Sequence, residues 1–109
     1  MNYPEEKDKA CAECPHCRHK HTPRNEESVR LLQNRLNRMT GQLNGIKSMI
    51  DDNRYCGDIL VQIAAVESAL RNFGYLILQE HMESCMVEEI QQGNLQIIEE
   101  AVELIKKLK

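Results

Sequence analysis

The chain has no tryptophan, one phenylalanine (Phe73) and three tyrosines (Tyr3, Tyr55 and Tyr75) among its 109 residues. At this length a self-sufficient core is marginal even with aromatic bulk. Apolar burial must come from Leu, Ile, Val, Met and Ala, and much of it is expected to come from partner subunits. Long apolar runs are missing too. No stretch approaches the roughly 20 apolar residues that span a bilayer, and the opening MNYPEEKDKA lacks the apolar segment of a signal peptide. A cytoplasmic protein without membrane contact is expected. Proline is confined to Pro4, Pro15 and Pro23, so no proline breaks a helix beyond residue 23. No strand candidate appears anywhere. No nucleophile with an adjacent base and orienting group appears either, so no enzyme is expected.

What is present is helical periodicity. Val29, Leu32, Leu36, Met39, Leu43, Ile46 and Ile50 alternate by threes and fours, as a bundle helix requires. Asn25 can cap that helix, with Glu26 and Glu27 complementing its positive end. Asp51 to Arg54 read as a turn. A long second helix is expected from about Tyr55 to Gln92, carrying Ile59, Leu60, Ile63, Val66, Leu70, Phe73 and Ile77. Gly93 and Asn94 end it. A third helix carries Ile97, Ile98, Val102, Ile105 and Leu108, with Lys106, Lys107 and Lys109 suiting its negative end. The expected fold is an all-α, three-helix protomer over residues 25–109, preceded by a polar, flexible arm over residues 1–24.

The net charge of −3 hides a polarised distribution. Between Arg18 and Ile50 seven basic residues face only Glu26 and Glu27, whereas acids dominate from Cys56 onward. A basic helix on an acidic protein can still follow phosphates.

Five cysteines in a reducing compartment point to metal or thiol chemistry rather than to a disulfide framework. His81 and Cys85 lie one turn apart on one helix face. Cys56 sits about 37 Å away at 1.5 Å rise per residue, and the 100° step returns it to nearly the face of His81. One chain therefore cannot close the three on one ion. An antiparallel second copy brings its own Cys56 beside His81 and Cys85, and a two-fold dimer then holds two equivalent sites. Two thiolates and an imidazole suit Cu(I); Zn(II), or Ni(II) with a fourth donor, are alternatives. The arm adds Cys11, Cys14, Cys17, His16, His19 and His21 as candidate accessory ligands for metal capture.

Two segments carry a resemblance to a known family. These are NRLNRMTGQLNGIKSMIDDNRYCGDILVQIAAVESAL, from Asn34 to Leu70, and HMESC, from His81 to Cys85. The pattern R-L-x-R-x-x-G-Q-x-x-G-I followed by Y-C-x-D-I-L resembles the copper-sensitive operon repressor (CsoR/RcnR-type) family over roughly Ser28 to Lys107. The resemblance implies an antiparallel homodimer assembling into a dimer of dimers. It also implies repression of operator DNA in the metal-free form and release on Cu(I) binding, derepressing copper-resistance genes. The implied ligands are Cys56 of one protomer with His81 and Cys85 of another. Tyr55 and a third-helix glutamate are implied around the histidine. Glu100 is the expected glutamate, with Glu103 as the alternative, because the Gly93-Asn94 turn leaves the count uncertain by one residue. Arg35, Arg38, Gln42, Lys47 and Arg71 are the implied DNA contacts.

Rival readings stay open on the sequence. The same fold senses nickel, cobalt or a thiol-modifying inducer in other members of the resembled family, and Ni(II) or Co(II) would draw on the arm histidines. A cytosolic metal buffer would use the arm for capture, although it would have no need of Arg35 and Arg38.

Overall fold

The computed structural model describes residues 19–108, and these form helices and turns with no strand. Helix α1 spans Glu26–Asp51. Asn25 begins it as expected: its backbone is extended and its side chain accepts a 2.7 Å hydrogen bond from the Ser28 amide, satisfying one of the orphan donors of the first turn. Asn53 ends the hairpin turn in the left-handed region, with φ 53°. Asn tolerates that conformation better than most residues.

Helix α2 spans Cys56–Glu80 and runs back along α1. The expected single α-helix to Gln92 is not what forms. At His81–Cys85 the rod takes a π-helical turn, and the Met86 amide reaches back five residues to the His81 carbonyl. Helix α3, Met86–Gln91, then continues the rod. The correction matters because a π turn is a local widening often found at functional sites. It begins at His81, so the Cys56-to-His81 phase still rests on regular α-helix, while everything beyond is rotated from α register.

Gly93, at φ 87°, closes the rod with the left-handed residue that a helix C-terminus favours. Helix α4, Gln96–Lys107, folds back. Its Ile97 and Ala101 are each only 4% exposed. Leu108 seats where Gly74 has no side chain; a Cβ there would lie 2.8 Å from the Leu108 Cδ2.

Only Met39, Ile97 and Ala101 are buried among the described residues. Val29, Leu36, Leu43 and Ile50 of the α1 stripe, Ile63 and Leu70 of α2, and Ile98, Val102 and Ile105 of α4 all remain exposed. Helix α4 thus has one apolar edge against the rod and a second facing outward. A single chain leaves most of its periodic apolar surface in water, which is the pattern of a protomer rather than of a finished core. No helix among the described residues is long and apolar enough to cross a membrane.

Candidate metal centre

The π turn sets His81 and Cys85 on one side of the rod, both half-buried. The Nε2 of His81 is buried and has no hydrogen-bond partner. A buried polar atom left unsatisfied costs about 1–3 kcal/mol, so this nitrogen calls for a partner that one described chain does not supply. Cys85 offers a free thiol beside it. The donor chemistry, one imidazole and one thiol on one turn, fits a soft metal ion.

A cavity of about 240 Å³ opens beside this pair, lined also by His19, His21, Glu89 and Glu100. Glu100 therefore shares a cavity with His81. Glu103 does not line it; its carboxylate lies 3.4 Å from Lys106 on the exposed face of α4. Cys56 is exposed at the start of α2, one rod length from His81, and Tyr55 immediately before it is 75% exposed. Among the described residues no three His, Cys, Asp or Glu side chains gather closely enough to hold an ion. Cys11, Cys14, Cys17 and His16 lie outside the described residues.

The sequence did not point to a strap. Residues 19–24, counted in the arm by composition, are bonded to the rod beside the π turn. The Lys20 ammonium donates to the Cys85 Sγ at 3.1 Å and the Ser84 Oγ at 3.3 Å, and lies 3.4 Å from Glu80. Arg24 meets the same Glu80 oxygen at 2.6 Å. His21 pairs with Glu89 at 2.8 Å. The hydrogen bond to Cys85 raises the Lys20 pKa above its ordinary value, against the opposing effect of burial, and the charges of Cys85 and Glu80 add to it. Sequence patterning had only counted Lys20 and Arg24 among the basic residues; an irregular segment carries no periodicity to announce its contacts.

On α1, Arg35, Arg38 and Gln42 fall at relative positions 0, 3 and 7, along one flank of the apolar stripe. Lys47 lies on the other flank at 100° per residue. Arg35, Arg38 and Lys47 are exposed and form no ion pair among the described residues. Arg71 of α2 is exposed and bonded to Glu67 at 3.3 Å.

Fold and donor set place the chain among all-helical proteins that present soft metal ligands from a helical rod. The family model described as metal-sensitive transcriptional repressor matches residues 29–107, and the chain belongs to that family. It is accordingly a transcriptional repressor and not an enzyme.

Its relatives are specific. The copper-sensing transcriptional repressor CsoR of Bacillus subtilis is 42% identical over 77 residues, 70% of this chain and 76% of the relative. The copper-sensing transcriptional repressor RicR of Mycobacterium tuberculosis is 44% identical over 59 residues, covering 54% of this chain and 62% of the relative. The crystal structure of the copper-sensing repressor CsoR with Cu(I) from Geobacillus thermodenitrificans superposes with a TM-score of 0.76 at 39% identity, covering 81% of this chain and 93% of that one. The nickel-responsive transcriptional regulator InrS superposes at 0.63 with 35% identity, covering 84% and 100%.

Proposed function

We propose that this protein is a cytoplasmic, copper-responsive repressor that binds operator DNA when metal-free and releases it on binding Cu(I). Its working form is a dimer of antiparallel dimers. In each dimer, Cys56 of one protomer and His81 and Cys85 of the other form the centre. The observation that carries this reading is the unpartnered, buried Nε2 of His81 beside Cys85, at one end of a rod whose other end exposes Cys56. The copper-sensing names of the relatives support the choice of ion.

Bound Cu(I) supplies one soft cationic centre that two thiolates and an imidazole can share. The chain's residues do the rest. With one ring nitrogen of His81 engaged, the other is oriented toward Tyr55 and Glu100, and outer partners of this kind fix a ligand's ring. In the metal-free assembly Arg35, Arg38, Lys47 and Arg71 lie along phosphates, with Gln42 as a polar contact. Phosphate contacts position such a protein and make its affinity salt-dependent. Arg71 must exchange Glu67 for phosphate, a small cost for an exposed pair.

Equilibrium binding of the reduced, metal-free protein to DNA from its own upstream region tests the operator half of this reading. A specific complex is expected, weakening with salt by about 0.9 log units per log unit for each phosphate contact. Absence of any complex would exclude that upstream region as its operator and remove autoregulation from this reading.

Gly57 gives a sharper handle. A Cβ at that position would lie 2.5 Å from the Tyr55 Cε2 and 3.1 Å from its Cδ2, so Gly57→Ala must push the tyrosine ring aside. Alanine also favours the helix by up to about 1 kcal/mol over glycine. The expected outcome is a protein that melts no lower yet binds Cu(I) more weakly, by up to the 10–100-fold typical of a lost outer partner. Unchanged affinity in a chelator competition would remove Tyr55 from the centre.

A second reading is favoured by one observation. His19 and His21 line the same cavity as His81 and Cys85, so an ion wanting more nitrogen donors, Ni(II) or Co(II), would find them nearby.

A further inference from the structure

The strap residue Lys20 has no place in the ligand set or the DNA face, yet it makes three contacts at the π turn. Its ammonium reaches the Cys85 Sγ at 3.1 Å, the Ser84 Oγ at 3.3 Å and the Glu80 carboxylate at 3.4 Å. The side chain is only 20% exposed. Five residues further on, Asn25 caps α1, the helix that carries Arg35 and Arg38. Lys20 thus ties the sulfur of a ligand to the entry of the basic helix.

We propose that Lys20 is a latch specific to the metal-free state: it holds Cys85 until that sulfur ligates metal, and then lets go of it. This rests on the reading of Cys85 as a ligand. A sulfur that shares its lone pairs with a metal ion has less left with which to accept the Lys20 hydrogen bond. Glu80 would not hold Lys20 in place alone, because Arg24 occupies the same oxygen at 2.6 Å. Release would leave the strap held by His21–Glu89 and Arg24–Glu80 and remove its one tie to a ligand sulfur, so the state of the centre is felt in the segment that leads into α1.

An interaction made only without metal subtracts from metal affinity, and reciprocity makes metal oppose the interaction equally. Removing the latch must therefore tighten metal binding, the opposite of what losing a supporting residue would do. Lysine-to-methionine at this position keeps the length of the side chain and deletes its charge.

The test uses the full chain, reduced and anaerobic. The rate at which an amine-selective reagent labels Lys20 is followed by mass spectrometry with and without one equivalent of Cu(I), and Cu(I) affinity is measured by chelator competition for wild type, Lys20→Met and Cys85→Ser. In wild type, labelling of Lys20 is expected to quicken on Cu(I) addition. In Lys20→Met, Cu(I) is expected to bind about three- to tenfold more tightly, the range for a typical hydrogen bond. Lys20 labelling indifferent to Cu(I), or an affinity in Lys20→Met that is unchanged or weaker, would overturn the latch. If Cys85→Ser binds Cu(I) as tightly as wild type, the ligand reading falls and the latch with it. Loss of binding in Cys85→Ser with no gain in Lys20→Met removes the latch alone.

Discussion

Protomers carrying Cys56→Ser and protomers carrying Cys85→Ser are each expected to lose tight Cu(I) binding, by more than the roughly 100-fold that a lost outer partner costs. Mixed and allowed to exchange subunits, they are expected to regain part of it. The reason is geometric. Cys56 and His81 stand about 37 Å apart along one rod at 1.5 Å per residue, so a centre that uses both cysteines would take Cys56 from one chain and Cys85 from the other. A mixed dimer then has one centre lacking both thiols and one with neither substitution. Random mixing at equal amounts makes half the dimers mixed, so about a quarter of wild-type tight sites return. Chelator competition on the mixture against the separate variants reads this directly. No recovery after verified subunit exchange would mean that the two cysteines do not meet across an interface.

The second large effect is expected from His81→Ala. Its thiols should still take up Cu(I), less tightly, but the release of DNA that accompanies uptake should largely disappear. Couplings of this kind are typically about 5–150-fold in affinity, and most of that span is expected to be lost. The physical ground is the buried Nε2 of His81: only an imidazole can be engaged through one nitrogen and orient outer partners through the other. Deleting an unsatisfied polar atom also removes a cost, which offsets lost packing, so the metal-free variant should fold and bind DNA. Normal copper-driven release in His81→Ala would exclude the ring from the coupling.

Periodicity made the helices legible because the sequence determines side-chain faces directly. The α1 stripe, the Asn25 cap and the Gly93 terminus all follow from local rules, and each is present. The π turn could not be read this way. His81 and Cys85 remain about one turn apart in either register, and a shift of backbone hydrogen bonding over five residues leaves the apolar pattern almost unchanged.

Residue counting alone left Glu100 and Glu103 ambiguous, since it depends on the length of one turn. Their surroundings differ: Glu100 lines the cavity beside His81, whereas Glu103 pairs with Lys106 in solvent. The strap was beyond sequence reasoning for another reason. Lys20, His21 and Arg24 find Cys85, Glu89 and Glu80 across more than 50 positions, and no short-range pattern encodes such pairings.

The exposed apolar edge of α4 bears on the same account. Ile98, Val102 and Ile105 are 44–48% exposed while Ile97 and Ala101 are buried, so one helix presents two apolar faces with only one covered in the protomer. The antiparallel partner that would bring Cys56 to His81 is also a natural cover for such surface. Burial of apolar area and completion of the centre would then be parts of one association.

The most direct measurement is an anaerobic titration of the reduced protein, bound to DNA from its own upstream region, with Cu(I) and separately with Ni(II). The account predicts dissociation complete at about one Cu(I) per protomer, since a two-fold dimer builds two equivalent centres, with Ni(II) leaving the complex intact. A complex that survives saturating Cu(I) and falls apart only with Ni(II) would contradict it.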